Sequence, residues 1–167
     1  MYHLTYTLIC RTANACFKDA ADLHADLEEY PQAISRYEQV ANYSLTSPLT
    51  KYSVKEYWLR AGLCALALGV SLTSRKYDIF KLTLSRRQDP VTAKRNNTTK
   101  YSTQDATFSS TREAKFVQAL VEAVEAGDSE AFTGAVVEFD KVTKLDNWKT
   151  NILLKIKRSI QEEMTLT

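Results

Sequence analysis

The sequence predicts an all-α protein, in which an array of antiparallel, tetratricopeptide-like helical hairpins is followed by a C-terminal helical bundle. Apolar residues recur at intervals of three and four along most of the chain, which is the period of a helix with one buried face. No segment shows the alternation that a half-buried strand requires. The 167 residues include only four Gly and three Pro, so few positions favour a break between elements.

The first part of the chain predicts two helices. After an uncertain N-terminal extension over 1–12, we expect a helix over 13–28. Its apolar face comprises Ala13, Phe17, Ala20, Ala21 and Leu27. Pro31 then opens a second helix, because its missing N–H is not needed in the first turn. That helix is expected to bury one stripe, formed by Tyr30, Ala33, Ile34, Tyr37, Val40 and Ala41.

A third helix is predicted over 49–69, after a loop that contains Pro48. The residues available for its packing are Tyr52, Tyr57, Ala61, Cys64, Ala65 and Leu68. Tight connections between these helices favour antiparallel neighbours. Residues 13–69 are therefore predicted to form helical hairpin repeats. Residues 70–104 carry eight basic and two acidic residues without a sustained apolar face. This range is interpreted as a basic, partly disordered insertion or linker.

Residues 105–167 predict a bundle of three amphipathic helices with recognisable caps. Ser110 and Glu113 have the spacing of a capping box, and Gly127 suits a left-handed C-cap. Asp128 or Ser129 caps the next helix, and Asp146 caps the last. The predicted core faces are Phe116, Leu120, Val121 and Val124, then Phe132, Ala135, Val136, Phe139 and Val142, then Trp148, Ile152, Leu153, Ile156 and Ile160. Opposite the last face we expect Lys149, Lys155, Lys157 and Arg158.

Composition excludes several classes of function. Arg60 interrupts the most apolar stretch, which is therefore too short to cross a bilayer, and the first ten residues lack the pattern of a secretory signal. We expect a cytoplasmic protein with reduced thiols, because the three Cys show no CxxC spacing. No motif of a hydrolase, dinucleotide-binding or phosphate-binding enzyme is present. The sequence predicts no catalytic residue, cofactor or metal site.

Five segments resemble one known family. They are EYPQAISRYEQV (29–40), SPLTKYSVKEY (47–57), AGLCALA (61–67), FSSTREAKF (108–116) and FDKVTKLDNWKTNILLKIK (139–157). These segments are similar to the C-terminal half of alpha-SNAP, the soluble NSF attachment protein family, in a fungal form. The resemblance implies a non-enzymatic, all-helical adaptor in SNARE-complex disassembly during vesicular membrane fusion and intracellular protein transport. Such adaptors coat a syntaxin-type SNARE bundle, recruit and stimulate the hexameric AAA ATPase NSF, and associate peripherally with cytosolic membrane faces of the Golgi, vacuole and vesicles.

The resemblance also implies site residues. The family's acidic patch toward the ATPase corresponds to Glu122 and Glu125, while its third acid is replaced by Ala126. The family's penultimate leucine corresponds to Leu166, which follows the acidic pair Glu162 and Glu163. The basic positions that face the SNARE bundle correspond to Lys51, Lys55 and Arg112. Two further SNARE-facing lysines of the family are replaced by Ala15 and Asp19. No nucleic-acid partner is expected.

Other interpretations stay open at this point. The replacements at 15, 19 and 126 also fit a generic or non-functional helical-repeat scaffold that has lost both contacts. The basic 70–104 segment fits binding to an anionic partner, with a steep dependence on salt. Residues 70–88 have no counterpart in the family, and we hypothesise that this range and 1–11 are translated intron sequence or gene-model artefacts, because helical periodicity stops and restarts at their edges.

Overall fold

The computed structural model describes residues 2–46, 48, 50–74 and 108–165, with side chains at 13–46, 48, 50–69, 108 and 110–161. These residues form six α-helices and two 3₁₀ turns, Lys51–Ser53 and Phe108–Ser110, and none of them lies in a strand. The predicted all-α class is confirmed. The helices are α1 (Tyr2–Asp26), α2 (Tyr30–Leu45), α3 (Val54–Ser74), α4 (Arg112–Ala126), α5 (Ser129–Val142) and α6 (Asn147–Thr165).

Most helix ends follow from local sequence. Gly127 ends α4 with a φ of 68°, a left-handed conformation in which a Cβ would be strained. The Asp128 side chain caps α5 by accepting the N–H groups of Glu130 at 2.8 Å and Ala131 at 2.9 Å. Asp146 caps α6 in the same way, because its Oδ1 accepts the N–H of Lys149 at 2.8 Å. These caps confirm the predicted boundaries.

The cap of α4 differs from the prediction. Thr111, not Ser110, is the N-cap, and its Oγ1 accepts the N–H of Ala114 at 3.2 Å. The predicted capping box is therefore wrong by one residue. The carboxylate of Glu113 instead meets Lys55 on α3, with Oε1 2.9 Å from Nζ. The acid that the local motif predicted to cap the helix therefore forms a tertiary ion pair instead.

The helices share one core. α2 packs between α1 and α3, while α3 also packs against α4 and α6, and α4 against α5. Aromatic contacts cross these boundaries: the Trp58 and Phe108 rings meet edge to face at 5.0 Å, and Phe116 stacks on Phe139 at 4.2 Å. The buried residues form one continuous cluster from Ala21 to Ile160. The hairpins and the C-terminal bundle therefore stabilise each other.

The predicted faces of the later helices hold with three corrections. The α2 stripe is buried as expected, apart from the half-buried Ile34. Tyr52 lies in a 3₁₀ turn and is 84% exposed, and Val142 ends α5 and is 61% exposed. Lys149 is buried instead of solvent-facing, because its Nζ lies 2.7 Å from Oε1 of Glu56.

α1 departs most from its predicted face. Of the five residues predicted to be buried, only Ala21 is in the core, where Asn14 and Ala25 are buried with it. Phe17 is 45% exposed and Leu27 is 70% exposed. The helix thus has apolar residues on two sides, and periodicity alone selected the outer one. α1 begins at Tyr2 and α3 continues to Ser74, so neither helix ends at the edges of the hypothesised intron sequence.

A buried arginine is the feature that the sequence least suggested. Arg60 of α3 is 5% exposed, and its guanidinium donates to Oδ1 of Asp22 at 3.0 Å, to Oε1 of Glu56 at 3.1 Å, and to Oδ2 of Asp146. The guanidinium carbon also lies 4.6 Å from the ring centroid of Trp148. Burial alone would lower the pKa of Arg60, but Asp22, Asp146 and Glu56 more than offset it, so the pKa is raised.

Across the described residues, no helix combines the length and the apolar character needed to span a bilayer.

Candidate functional site

The structure brings the three predicted SNARE-facing residues to one end of the molecule. Lys51 lies in the 3₁₀ turn before α3, Lys55 in the first turn of α3, and Arg112 in the first turn of α4. The Lys55–Glu113 ion pair joins these two helix starts, with 2.9 Å between Nζ and Oε1. Lys51, Lys55 and Arg112 are all exposed. Together with the exposed Lys115 they form what we call the basic end.

The basic end has an unfavourable local electrostatic arrangement. The N-terminus of a helix carries partial positive charge, so anions stabilise it and cations destabilise it. Arg112 is nevertheless the first residue of α4, and Lys55 lies in the first turn of α3. The Thr111 side chain caps α4, and Glu113 is buried against Lys55, so the exposed cations themselves, and not free N–H groups, are what attracts an anion here. This arrangement favours binding to an acidic partner at the expense of the stability of the unbound chain.

The opposite end of α4 is acidic. Glu122 and Glu125 are exposed in its last turns, and the last turn contains no basic residue. The only polar side-chain contact of the pair in the described structure is from Nε2 of Gln118 to Oε1 of Glu122, at 3.1 Å. Carboxylates near the C-terminus of a helix face its partial negative charge and are repelled by it. The chain therefore keeps this acidic surface at some expense in helix stability.

Sequence reasoning missed two residues that extend the acidic surface. α4 ends at Gly127, and the exposed Asp128 and Glu130 follow directly at the start of α5. With Glu122 and Glu125 they form what we call the acidic corner. Ala126 is also exposed, so the acid that the family has there is absent from this surface. The turn at Gly127 was predicted, and the exposure of Glu130 could have been inferred from it.

The two charged surfaces lie on one solvent face of α4. Arg112 and Lys115 occupy its beginning, and Glu122 and Glu125 its end, with Gln118 between them on the same side. At 1.5 Å per residue, the two ends are about 15–20 Å apart. Exposed charge along this helix therefore runs against the helix dipole at both ends. Such an arrangement does not help the isolated helix, and it suits two partners of opposite charge.

An open groove adjoins the acidic corner. It lies between α5 and α6 and has a volume of 1140 Å³. Glu130 and Gly134 lie along it, with the half-exposed Val137 and the basic Lys141 and Lys157. Its lining is mixed in charge and wide open to solvent, which is unlike the enclosed apolar pockets that hold small substrates.

Three predicted residues lie where their contacts are not described. Glu162 and Glu163 belong to the last turns of α6, and their side chains lie outside the described residues. Leu166 lies outside the described residues altogether. Their assignment to the ATPase contact stays a prediction.

No metal centre is found among the described side chains, and of the two described free thiols Cys64 is buried while Cys16 is exposed. Within the part of the chain with placed side chains, no three His, Cys, Asp or Glu residues group to hold a metal ion. His24 lies on the surface, where its Nδ1 is 2.6 Å from Oε2 of Glu29. Burial raises the pKa of the Cys64 thiol, which keeps it protonated and unreactive.

A helical scaffold that presents two exposed surfaces of opposite charge is suited to binding other proteins. Comparison with known families identifies the scaffold more closely. The family model described as soluble NSF attachment protein, SNAP, matches residues 9–161. The chain belongs to the SNAP family, and the resemblance found in the sequence is confirmed. This is a family of attachment proteins, and they are not enzymes.

Relatives in distant organisms support this assignment. The chain is 61% identical to the vesicular-fusion protein SEC17 of Coprinopsis cinerea over 156 residues, which are 93% of this chain and 47% of that protein. It is 39% identical to the probable vesicular-fusion protein sec17 homolog of Schizosaccharomyces pombe, over 90% of this chain and 45% of that one. The human alpha-soluble NSF attachment protein is 35% identical, over 90% and 44%. The chain spans about half the length of these relatives.

Proposed function

We propose that this chain is an adaptor in SNARE-complex disassembly. Its basic end binds the acidic surface of a syntaxin-type SNARE bundle, and its acidic corner binds a basic surface of the NSF ATPase. By holding both at once, the chain recruits the ATPase to its substrate and stimulates it. The function belongs to vesicular membrane fusion and intracellular protein transport.

The observation that carries the proposal is the charge pattern of α4. Arg112 at the first turn and Glu125 at the last both oppose the helix dipole, and both are exposed. Opposite charges at the two ends of a rigid helix orient an encounter with two partners and accelerate it. Membership of the SNAP family, together with relatives named as vesicular-fusion proteins, supports the choice of partners.

Three further assignments extend the proposal. Glu162 and Glu163 add negative charge to the ATPase contact, and Leu166 supplies the apolar contact that stimulates hydrolysis. Lys51 and Lys55 widen the SNARE-facing surface beyond Arg112. The chain works at the cytosolic face of the Golgi, vacuole and vesicle membranes, to which it binds peripherally. Neither a generic scaffold nor an anionic-partner binder acting through 70–104 gains support from the comparisons.

Two separate binding measurements test the proposal. We expect the purified chain to bind an immobilised SNARE bundle and, in a second assay, the NSF ATPase. Reversing charge at the basic end with Lys51→Glu and Arg112→Glu should weaken SNARE binding at least tenfold and leave ATPase binding within twofold. Glu122→Lys with Glu125→Lys should do the opposite. Both affinities should fall as salt is raised, because exposed charges are screened.

Matched controls keep the test specific. Arg36→Glu and Asp26→Lys reverse exposed charges on α2 and α1, away from both surfaces and from the end of α6, and should change neither affinity. The proposal fails if the two pairs of variants weaken both partners equally, or if the controls have effects as large. Circular dichroism spectra that match the parent chain would show that the variants are folded.

A further inference from the structure

A buried acidic side chain contacts the basic end from within the protein. Glu113, which follows Arg112 in the first turn of α4, is 8% exposed. Its Oε1 lies 2.9 Å from Nζ of Lys55 on α3, and the side chain of Lys55 is 52% exposed. The pair therefore joins a buried anion to a cation that still faces solvent. The proposed function uses this cation but gives the acid no role.

Glu113 differs from the acid in the first turn of α3. That acid, Glu56, contacts the buried cations, with its Oε1 3.1 Å from Nε of Arg60 and 2.7 Å from Nζ of Lys149. Glu56 therefore stabilises the contact between α3 and α6. Among the ion pairs between described residues, that of Glu113 is the one that includes a residue of the basic end.

Burial of the acid restricts the position of Lys55. A carboxylate that is removed from water loses its hydration, and a hydrogen-bonded cation has to compensate for the loss. Lysine is among the side chains that lose most conformational entropy when they are ordered. The contact with Glu113 imposes part of this order before a partner arrives, so less entropy is lost on binding.

The restrained ammonium of Lys55 keeps donors for a partner. An ammonium carries more than one N–H group, and the contact with a single carboxylate oxygen does not occupy them all. Because about half of the Lys55 side chain is exposed, a carboxylate of an acidic partner has access to it. Arg112 is the neighbour of Glu113 in sequence, so the ion pair also limits the distance between Lys55 and Arg112.

The negative charge of Glu113 opposes the attraction of an acidic partner at long range. A surface kept only for attraction at a distance would have no acid beside its cations. The benefit of Glu113 is therefore expected at contact, where the order of Lys55 determines how long the partner stays bound. Long-range charge acts mainly on the association rate constant, whereas contact geometry acts mainly on the dissociation rate constant.

We propose that Glu113 is a positioning residue of the SNARE-facing surface, and that it holds the Lys55 ammonium in place for a carboxylate of the acidic partner. This inference rests on the proposed function and adds to it a residue that does not itself touch the partner. Loss of Glu113 shortens the lifetime of the complex more than it changes the rate of association.

Surface plasmon resonance of the full chain on an immobilised SNARE bundle, at moderate salt, tests the proposal. Glu113→Gln preserves the size of the side chain and removes its charge. The variant should dissociate about fivefold faster than the parent, which is the effect of one side chain that must be ordered on binding. Its association rate constant should stay within about twofold of the parent, because salt screens the change in long-range charge.

Glu28→Gln is the matched control for this variant. Glu28 lies between α1 and α2, and its Oε1 is 3.3 Å from Nζ of Lys155 on α6. The substitution removes the same charge from another ion pair between elements, at the opposite end of α2 from Lys51. Both rate constants should match those of the parent. A control that dissociates as fast as Glu113→Gln would overturn the proposal.

A double-mutant cycle separates positioning from general support of the fold. In a Lys55→Met background, Glu113→Gln should not change the dissociation rate constant, because no ammonium is left to hold. Circular dichroism checks that each variant is folded. If Glu113→Gln does not fold, Glu113→Asp, which keeps the charge on a shorter side chain, takes its place and should also dissociate faster.

The outcomes distinguish this inference from the proposed function. A Glu113→Gln variant that dissociates like the parent, or that dissociates equally faster with and without Lys55, would overturn the positioning role and leave the adaptor function standing. A folded parent chain that does not bind the SNARE bundle would overturn the proposed function, and this inference with it.

Discussion

The guanidinium of Arg60 donates through Nη2 to Oδ2 of Asp146, and this ion pair joins α3 to the start of α6 across 86 positions of sequence. The same guanidinium reaches Asp22 on α1 at 3.0 Å. One side chain thus ties together the helical hairpins and the C-terminal bundle. This buried cation therefore contributes to holding the two parts in place.

The first prediction concerns the removal of that cation. Arg60→Met should lower the free energy of unfolding by about 3 kcal/mol, because the partly buried Asp22 and Glu56 lose a cationic partner and the tie to the exposed Asp146 is lost with it. Urea denaturation, followed by far-UV circular dichroism, measures this loss. The control Arg158→Met alters an exposed arginine on α6 and should stay within about 0.5 kcal/mol of the parent. Equal effects of the two variants would contradict the role of Arg60.

The second prediction concerns alkaline pH. Burial, followed by the hydrogen bond to Asp22, raises the pKa of Tyr37 well above its ordinary value. The folded state therefore keeps the phenol protonated where the unfolded chain would lose the proton. Stability from this group is complete below the unfolded pKa of about 10 and is lost as pH rises above it, by up to about 1.4 kcal/mol per pH unit.

Thermal denaturation between pH 8 and pH 11 checks this sign. The parent should lose stability steeply above about pH 10. Tyr37→Phe should be less stable at pH 8, because it lacks the hydrogen bond to Asp22, but its stability should fall less steeply with pH. The buried Cys64 thiol, whose pKa is also raised, adds to the alkaline loss in both proteins. Parallel pH profiles for parent and variant would contradict the assignment to Tyr37.

The third prediction compares two helical glycines. An added Cβ at Gly134 on α5 would meet no atom within 4 Å, so Gly134→Ala should stabilise the protein by about 0.5–1 kcal/mol through helix propensity. At Gly62 on α3 the same Cβ would lie 3.2 Å from Cγ1 of Val117 on α4. Gly62→Ala should therefore gain less or destabilise. Chemical denaturation distinguishes the two variants. An equal gain in the free energy of unfolding at both sites would show that α4 shifts readily to accommodate the added methyl group.

The fourth prediction separates stability from binding at α4. Arg112→Glu and Glu125→Lys each replace an unfavourable charge at a helix end with a favourable one, so each should stabilise the chain by about 0.5 kcal/mol. The same substitutions should weaken binding to the SNARE bundle and to the ATPase, respectively. Melting temperatures and binding affinities measured on the same samples test this opposition. Variants that bind normally, or that lose stability together with binding, would argue against the interpretation that Arg112 and Glu125 are kept to bind partners.

Much of the fold could be predicted from the sequence because its signals are local. The period of apolar residues gave α2 and the core of α6, and Gly127, Asp128 and Asp146 marked helix ends through their own backbone or side-chain chemistry. These features depend on residues within one or two turns. The acidic corner was found in part for the same reason, since Glu122 and Glu125 lie on one helix.

The misses required information on contacts between distant segments. Periodicity could not choose between the two apolar sides of α1, because that choice depends on which side meets α2. The sequence indicated that Lys149 faces solvent and that Arg60 merely interrupts an apolar stretch. Their burial depends on the carboxylates that approach them, those of Asp22, Glu56 and Asp146. Likewise, Glu113 does not cap α4 as predicted but pairs with Lys55, with 2.9 Å between Oε1 and Nζ. Long-range ion pairs have no signature at a fixed spacing in sequence.

The proposed function requires the two ends of α4 to let one chain hold two partners together. The most direct measurement is the amount of NSF retained by an immobilised SNARE bundle in the presence of the chain, compared at low and moderate salt. We predict that the parent retains the ATPase and that Glu122→Lys with Glu125→Lys abolishes retention while the chain itself stays bound to the bundle. If the folded parent binds the bundle but retains no ATPase, or if the charge-reversed variant retains as much as the parent, the claim is contradicted.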